Sequence, residues 1–215
     1  MELKEPRFSV LLGALLLMAV LNPLMEEFGL LRAQLVLNTS FSVLVIAGLY
    51  AISGKKRRFY LAIVLAVATC IAGWYDESHQ TGQSEVILQT CVVLFLLTLL
   101  FTILQRVLLN EKVTSQKIYG ALCAYLIFGY AWASLYTLAD YLHPNSFTNN
   151  LHGYHDLLYY SLITLATVGY GDITPVSSIA RSLAVLEAIT GQFYLAVMIA
   201  RLVGLHIVHS ETKSV

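Results

Sequence analysis

Apolar residues along the chain gather into long runs separated by short polar breaks. Six runs, at about 8–25, 35–53, 59–75, 86–109, 118–141 and 177–208, are each long enough to cross a bilayer as a helix, which takes roughly 17–25 residues. A seventh, about 156–166, sits between the last two. It is too short to span and reads as a re-entrant helix that enters the membrane and stops. Non-helical backbone at that depth is tolerated only where it is buried in protein or lines water. The pattern predicts an all-α membrane protein: four N-terminal transmembrane helices, then a two-helix module that encloses the re-entrant helix.

Composition agrees with that pattern. Of 215 residues, 58% are hydrophobic and 12% charged, and the mean hydropathy is +0.72, which places the chain among membrane proteins. Cys70, Cys91 and Cys123 all lie inside apolar runs, so none reads as a disulfide or a metal ligand. Zero formal net charge excludes a strongly basic nucleic-acid surface. The first run begins at Phe8 and lacks a small-residue cleavage site; it is expected to be a retained helix, not a cleaved signal.

Charge orients the helices. With the N-terminus inside, the inner side holds Lys4, Arg7, Lys55, Lys56, Arg57, Arg58, Arg106, Lys112, Lys117, Arg201 and Lys213, and the outer side Arg32 and Arg181. This asymmetry follows the positive-inside rule. Both termini are then cytoplasmic, and Asp76, Glu77, Glu85 and Asp140 fall outside. The chain divides into a four-helix module (1–110), a short inner linker (111–117), a second module (118–209) and a short cytoplasmic tail (210–215). No soluble C-terminal ligand-binding domain is expected.

The run Thr167-Val168-Gly169-Tyr170-Gly171-Asp172 carries the chemistry. A hydrated cation entering a narrow pore must exchange its water shell for other oxygens. A short extended peptide supplies them if its carbonyls point inward from several copies of the chain. Gly169 and Gly171 can adopt backbone angles closed to other residues, and the Thr167 hydroxyl adds an oxygen at the inner end. Thr167 to Asp172, followed by Ile173, Thr174 and Pro175, resembles the selectivity filter of the tetrameric potassium channel family. The likeness runs from about Ile118 to His209 and takes in outer helix, pore helix, filter and inner helix. Two departures stand in the pore helix: Ala166, where many members have Thr, and apolar Ile163, where some carry Glu. They bear on block and inactivation, not on the carbonyl ladder.

The resemblance implies the mechanism known for TVGYG loops, with potassium held by the carbonyls of Thr167, Val168, Gly169 and Tyr170. It implies a homotetramer among membrane lipids, potassium as permeant ion, and no cofactor. Gly171 and Asp172 hold the exit, with Tyr159 or Tyr160 donating to Asp172; alternatively these phenols are interfacial belt aromatics. Gly191 matches a hinge position of the inner helix, although close packing of another helix explains it equally well. Gln192, Leu195, Ile199 and Val203 match positions facing the cavity and gate. Gln192 would lie just below the filter, unless it meets a neighbouring polar partner, and Ile199 and Val203 would form apolar rings able to gate by dewetting.

Other polar residues read more plainly. Asp156 complements the positive end of the pore helix, whose opposite end favours a cation in the cavity. Glu187, an acid within the last apolar run, is expected to be buried behind the filter, with pH sensing as the alternative. His79, His143, His152 and His155 read as solvated loop residues, and His206 and His209 as helix-end residues. The fourth run lacks the regularly spaced bases of a voltage sensor; Arg106, near its inner end, is its strong base. The sequence therefore predicts a largely voltage-independent potassium channel of the plasma membrane, or of the inner membrane in a bacterium. An ion-transporter subunit and a non-conducting sensor or assembly subunit are the alternatives. No nucleophile–base constellation supports an enzyme.

Overall fold

The computed structural model describes residues 8–27, 33–52, 56–79, 82–109, 114–148, 151 and 153–211. Lys4, Arg7, Arg32, Lys55, Lys112, His152, Lys213 and residues 111–113 of the inner linker lie outside them. So do the side chains of Lys56, Arg57, Arg58, Asp76, Glu77, His79, His206 and His209. The charge asymmetry along the chain therefore falls largely outside the described residues.

Among the described residues, seven helices follow one another: α1 (Phe8–Glu27), α2 (Ala33–Ile52), α3 (Lys56–His79), α4 (Gly82–Leu109), α5 (Ser115–Leu142), α6 (Tyr154–Leu165) and α7 (Ser178–Glu211). Each coincides with one apolar run, with its ends displaced by a few residues. Among the described residues no strand forms, only a single bridge between Phe147 and Pro175. Within α3 and α4, Thr69, Thr90, Thr98 and Thr102 each turn their hydroxyl onto the carbonyl four residues back, at 2.7–2.8 Å. That bond satisfies a hydroxyl inside a helix that offers no water.

Three helices are long and apolar enough to cross a membrane over their described residues: Gln83–Leu108, Ser115–Leu142 and Ser178–Arg201. α1, α2 and α3 contain shorter apolar stretches, Phe8–Leu21, Phe41–Ala51 and Phe59–Tyr75. The chain is a multi-pass membrane protein.

α4 packs against both α3 and α5, and α1 against α2 and α5. Leu11, Leu15, Leu44, Phe95, Leu99, Ile103 and Ile127 form the fully buried centre of this bundle. Polar groups lock α1 onto α5. Tyr130 donates its phenol to the Leu15 carbonyl at 2.8 Å, and Gln116 Oε1 accepts from the Phe8 N–H at 3.0 Å. α7 lies on α5 and α6 and is far less covered: 17% of its apolar span is buried within the chain, against 56% for α5.

Candidate functional site

The site is built on the end of α6. That helix begins after Gly153 (φ 155°) and carries Asp156 in its first turn, where a negative side chain complements the N-terminal partial charge. The neighbouring His155 Nε2 lies 3.4 Å from Asp156 Oδ1. Leu157, Leu158, Tyr160, Ser161 and Leu165 are buried, which pins α6 against α5 and α7. Gly129 of α5 permits the close approach. A Cβ there would sit 2.6 Å from Leu162 Cδ2.

α6 ends where Thr167 takes φ 58°. The left-handed region is unfavourable for a residue with a Cβ, by about 1–2 kcal/mol, so surrounding bonds must hold it. They do: the Thr167 N–H donates to the Thr164 carbonyl at 3.0 Å, and those of Val168 and Gly169 to the Ile163 carbonyl at 2.9 and 3.3 Å. Positive φ recurs at Gly169 (54°) and Gly171 (80°). Every second residue from 167 to 171 is thus left-handed, the backbone condition for successive carbonyls to share a side. Among the described residues, no donor bonds the carbonyls of Thr167, Val168, Gly169 or Tyr170. Val168 and Tyr170 are themselves exposed in the single chain. Residue type gave no hint of the Thr167 conformation, because a β-branched residue is among the least expected there.

The far end of the segment is strapped to the loop after α5. The Thr148 N–H donates to the Thr174 carbonyl at 2.8 Å, the Thr174 N–H to Thr148 Oγ1 at 2.8 Å, and the Val176 N–H to the Ser146 carbonyl at 2.7 Å. The Ser146 N–H in turn donates to Asp140 Oδ1 at 2.9 Å. Asp172 accepts from the Tyr159 phenol at 2.7 Å. This donation is the main reason its carboxyl is held below the usual carboxylate range. Of the two phenols the sequence offered, Tyr159 makes this bond. Tyr160 turns inward and packs edge-on against Tyr136 and Phe147, with ring centroids 5.1 and 5.3 Å away.

On α7, Gly191 lies under the end of α6. A Cβ there would be 2.7 Å from Leu165 Cδ1 and 3.2 Å from the Leu165 carbonyl oxygen. α7 runs as one helix through this position. Gln192, Ile199 and Val203 are exposed and Leu195 half-buried in the single chain. Glu187 is fully buried, between Tyr136 Oη and Ser161 Oγ, each 2.5 Å away. Sequence reasoning missed both partners, since α5 and α6 meet α7 only in three dimensions. It also missed Tyr125, which donates to the Leu165 carbonyl at 3.0 Å from below the segment. A separate cavity of about 470 Å³, lined in part by Trp74, Gln89, Asp140 and Tyr154, contains none of residues 159–172.

Residues 120–205 match a family model described as an ion channel. Over 71 residues the chain is 34% identical to the inward rectifier potassium channel Kirbac3.1 of Paramagnetospirillum magnetotacticum, a stretch covering 33% of this chain and 22% of that protein. Over 55 residues it is 47% identical to Protein LctB of Geobacillus stearothermophilus, covering 26% of this chain and 40% of that protein. The chain thus spans less than half the length of either relative. No solved structure matches it.

Proposed function

We propose that this chain is one subunit of a homotetrameric, potassium-selective channel, a reading supported by the match of residues 120–205 to the ion channel family model and by the likeness of a 71-residue stretch to a potassium channel. It conducts passively, with little voltage dependence, in the plasma membrane or a bacterial inner membrane, with both termini cytoplasmic. Residues 167–171 form the selectivity filter, and Gln192, Leu195, Ile199 and Val203 face the cavity and the inner mouth.

The observation that carries this reading is the alternating left-handed backbone at 167, 169 and 171. The Val168 and Gly169 N–H groups are held back on Ile163, while the carbonyls of 167–170 have no described partner. Four chains arranged about an axis would stack these carbonyls in rings that replace a potassium ion's water. One chain supplies one such segment, so rotational symmetry is the simplest way to close a pore. The sparse cover on α7 supports the same reading, because a largely unburied apolar helix can pack against neighbouring copies and line the pore.

Reconstitution in liposomes under opposed potassium and sodium gradients tests the proposal. The reversal potential should follow the potassium gradient, and the conducting species should have the mass of four chains. Equal permeability to sodium and potassium, or conduction by a stable monomer or dimer, would refute it.

A further inference from the structure

Three short oxygen–oxygen contacts run in series across α5, α6 and α7. Tyr136 Oη lies 2.5 Å from Glu187 Oε2, Glu187 Oε1 lies 2.5 Å from Ser161 Oγ, and Ser161 Oγ lies 2.8 Å from the Gly129 carbonyl oxygen. Every contact of this kind needs a hydrogen between its two oxygens. The Tyr136 and Ser161 hydroxyls bring one each, and a backbone carbonyl brings none. Two hydrogens cannot fill three contacts. With Glu187 ionised, one pair of oxygens would face each other bare, at a separation reached only through a hydrogen bond.

We propose that Glu187 is held as a neutral carboxylic acid, and that its proton completes a directed chain, Tyr136 to Glu187 to Ser161 to the Gly129 carbonyl, which seats α6 between α5 and α7. Tyr136 donates to Oε2, the carboxyl O–H donates from Oε1 to Ser161, and Ser161 donates to Gly129. Every oxygen in the row is then satisfied.

The surroundings fit a neutral group. Glu187, Ser161 and Tyr136 are all fully buried. The titratable side chains that face Glu187 are Tyr125 and Tyr136 of α5 and Tyr160 of α6, all uncharged phenols. Among the described residues no cation pairs with it. An ionised carboxylate in such a place is costly without a counter-ion, and a hydrogen-bonded acid is not. Ser161 lies only six residues before Thr167, so the chain makes Glu187 a positioning residue for the segment that α6 carries. The assignment depends on the hydrogen-bond geometry and holds whichever ion passes.

Infrared spectroscopy of the purified protein in liposomes at neutral pH tests it. The difference spectrum between the parent and Glu187→Gln should contain the carbonyl band of one protonated carboxyl, shifted on exchange into deuterium oxide. Loss of a carboxylate pair of bands instead would overturn the proposal. Glu187→Gln should keep the assembly and its thermal midpoint, because the amide donates to Ser161 and accepts from Tyr136, whereas Glu187→Ala should lower the midpoint. Should Glu187→Gln fail to fold, Tyr136→Phe and Ser161→Ala leave the acid in place. Each should move the protonated-carboxyl band to higher frequency by removing one hydrogen bond, and a spectrum unchanged in both would equally overturn it.

Discussion

Tyr159 sets the acid tolerance of Asp172. A carboxylate that accepts a phenol's hydrogen is stabilised in its charged form, so its titration moves below the ordinary carboxylate range. The sign follows. The stabilisation is present at and above the unfolded carboxylate range and is lost as pH falls through the lowered folded value. Tyr159→Phe removes the donor that causes most of the shift. The Asp172 titration should then move up in pH, and loss of flux on external acidification should begin at a higher pH than in the parent. Carbon-detected magnetic resonance of labelled aspartate, read beside flux, checks both. Coincident titrations of parent and variant would mean that the bond does not control Asp172.

At the scale of the element, the α6–α7 contact decides what Gly191 does. Glycine in the middle of a helix costs about 1 kcal/mol relative to alanine, so a pure hinge would be stabilised by Gly191→Ala and would change chiefly in its gating. The structure sets a different term against that gain. The new Cβ would meet Leu165 Cδ1 at 2.7 Å and the Leu165 carbonyl at 3.2 Å, and overpacking of this kind typically costs about 1–3 kcal/mol. Gly191→Ala should therefore lower the thermal midpoint of the assembly, and Leu165→Val in the same background should recover part of the loss. A raised midpoint with altered open probability would favour the hinge. The same contact explains why α6 ends in a fixed place, because Leu165 is fully buried and its carbonyl is held by Tyr125.

At the scale of the whole molecule, the α1–α4 bundle packs as a helical module whose described helix centres carry no Asp, Glu, Lys or Arg. Moving one elementary charge across the membrane field is worth about 2.3 kcal/mol per 100 mV, and steep gating uses several in each subunit. From Val92 to Ile103 the centre of α4 is Leu, Val, Phe, Thr and Ile. Its base, Arg106, stands in the last turn and donates to the Ala51 carbonyl of α2 at 2.8 Å. A cation held at the carboxyl end of a neighbouring helix is electrostatically favoured there, which anchors it. Open probability should change little between about −100 and +100 mV, a range over which sensor-bearing tetramers shift by tens of kcal/mol. Single-channel recording over that range measures it. A steep sigmoidal curve, with gating current under pore block, would reveal a mobile charge in this bundle.

The sequence by itself determined the helices and the central motif. Seven apolar runs became the seven helices of the described residues, with ends displaced by only a few residues, because a helix in lipid must satisfy its own backbone and so is written in local composition. Gly169 and Gly171 announced two of the three left-handed positions, because conformational permissiveness is a property of residue type. What required the tertiary structure was everything that depends on partners distant in the chain. Thr167 is a local exception: the carbonyls of Ile163 and Thr164 hold the amides around it, in a left-handed turn that a β-branched residue does not announce. The choice of Tyr159 over Tyr160 for Asp172 rests on which face of α6 meets the Tyr136–Phe147 cluster. Glu187 looked like an isolated acid until α5 and α6 brought Tyr136 and Ser161 to its two oxygens, from 51 and 26 residues away in the chain. Local sequence sets which conformations are cheap, and only packing decides which polar groups meet.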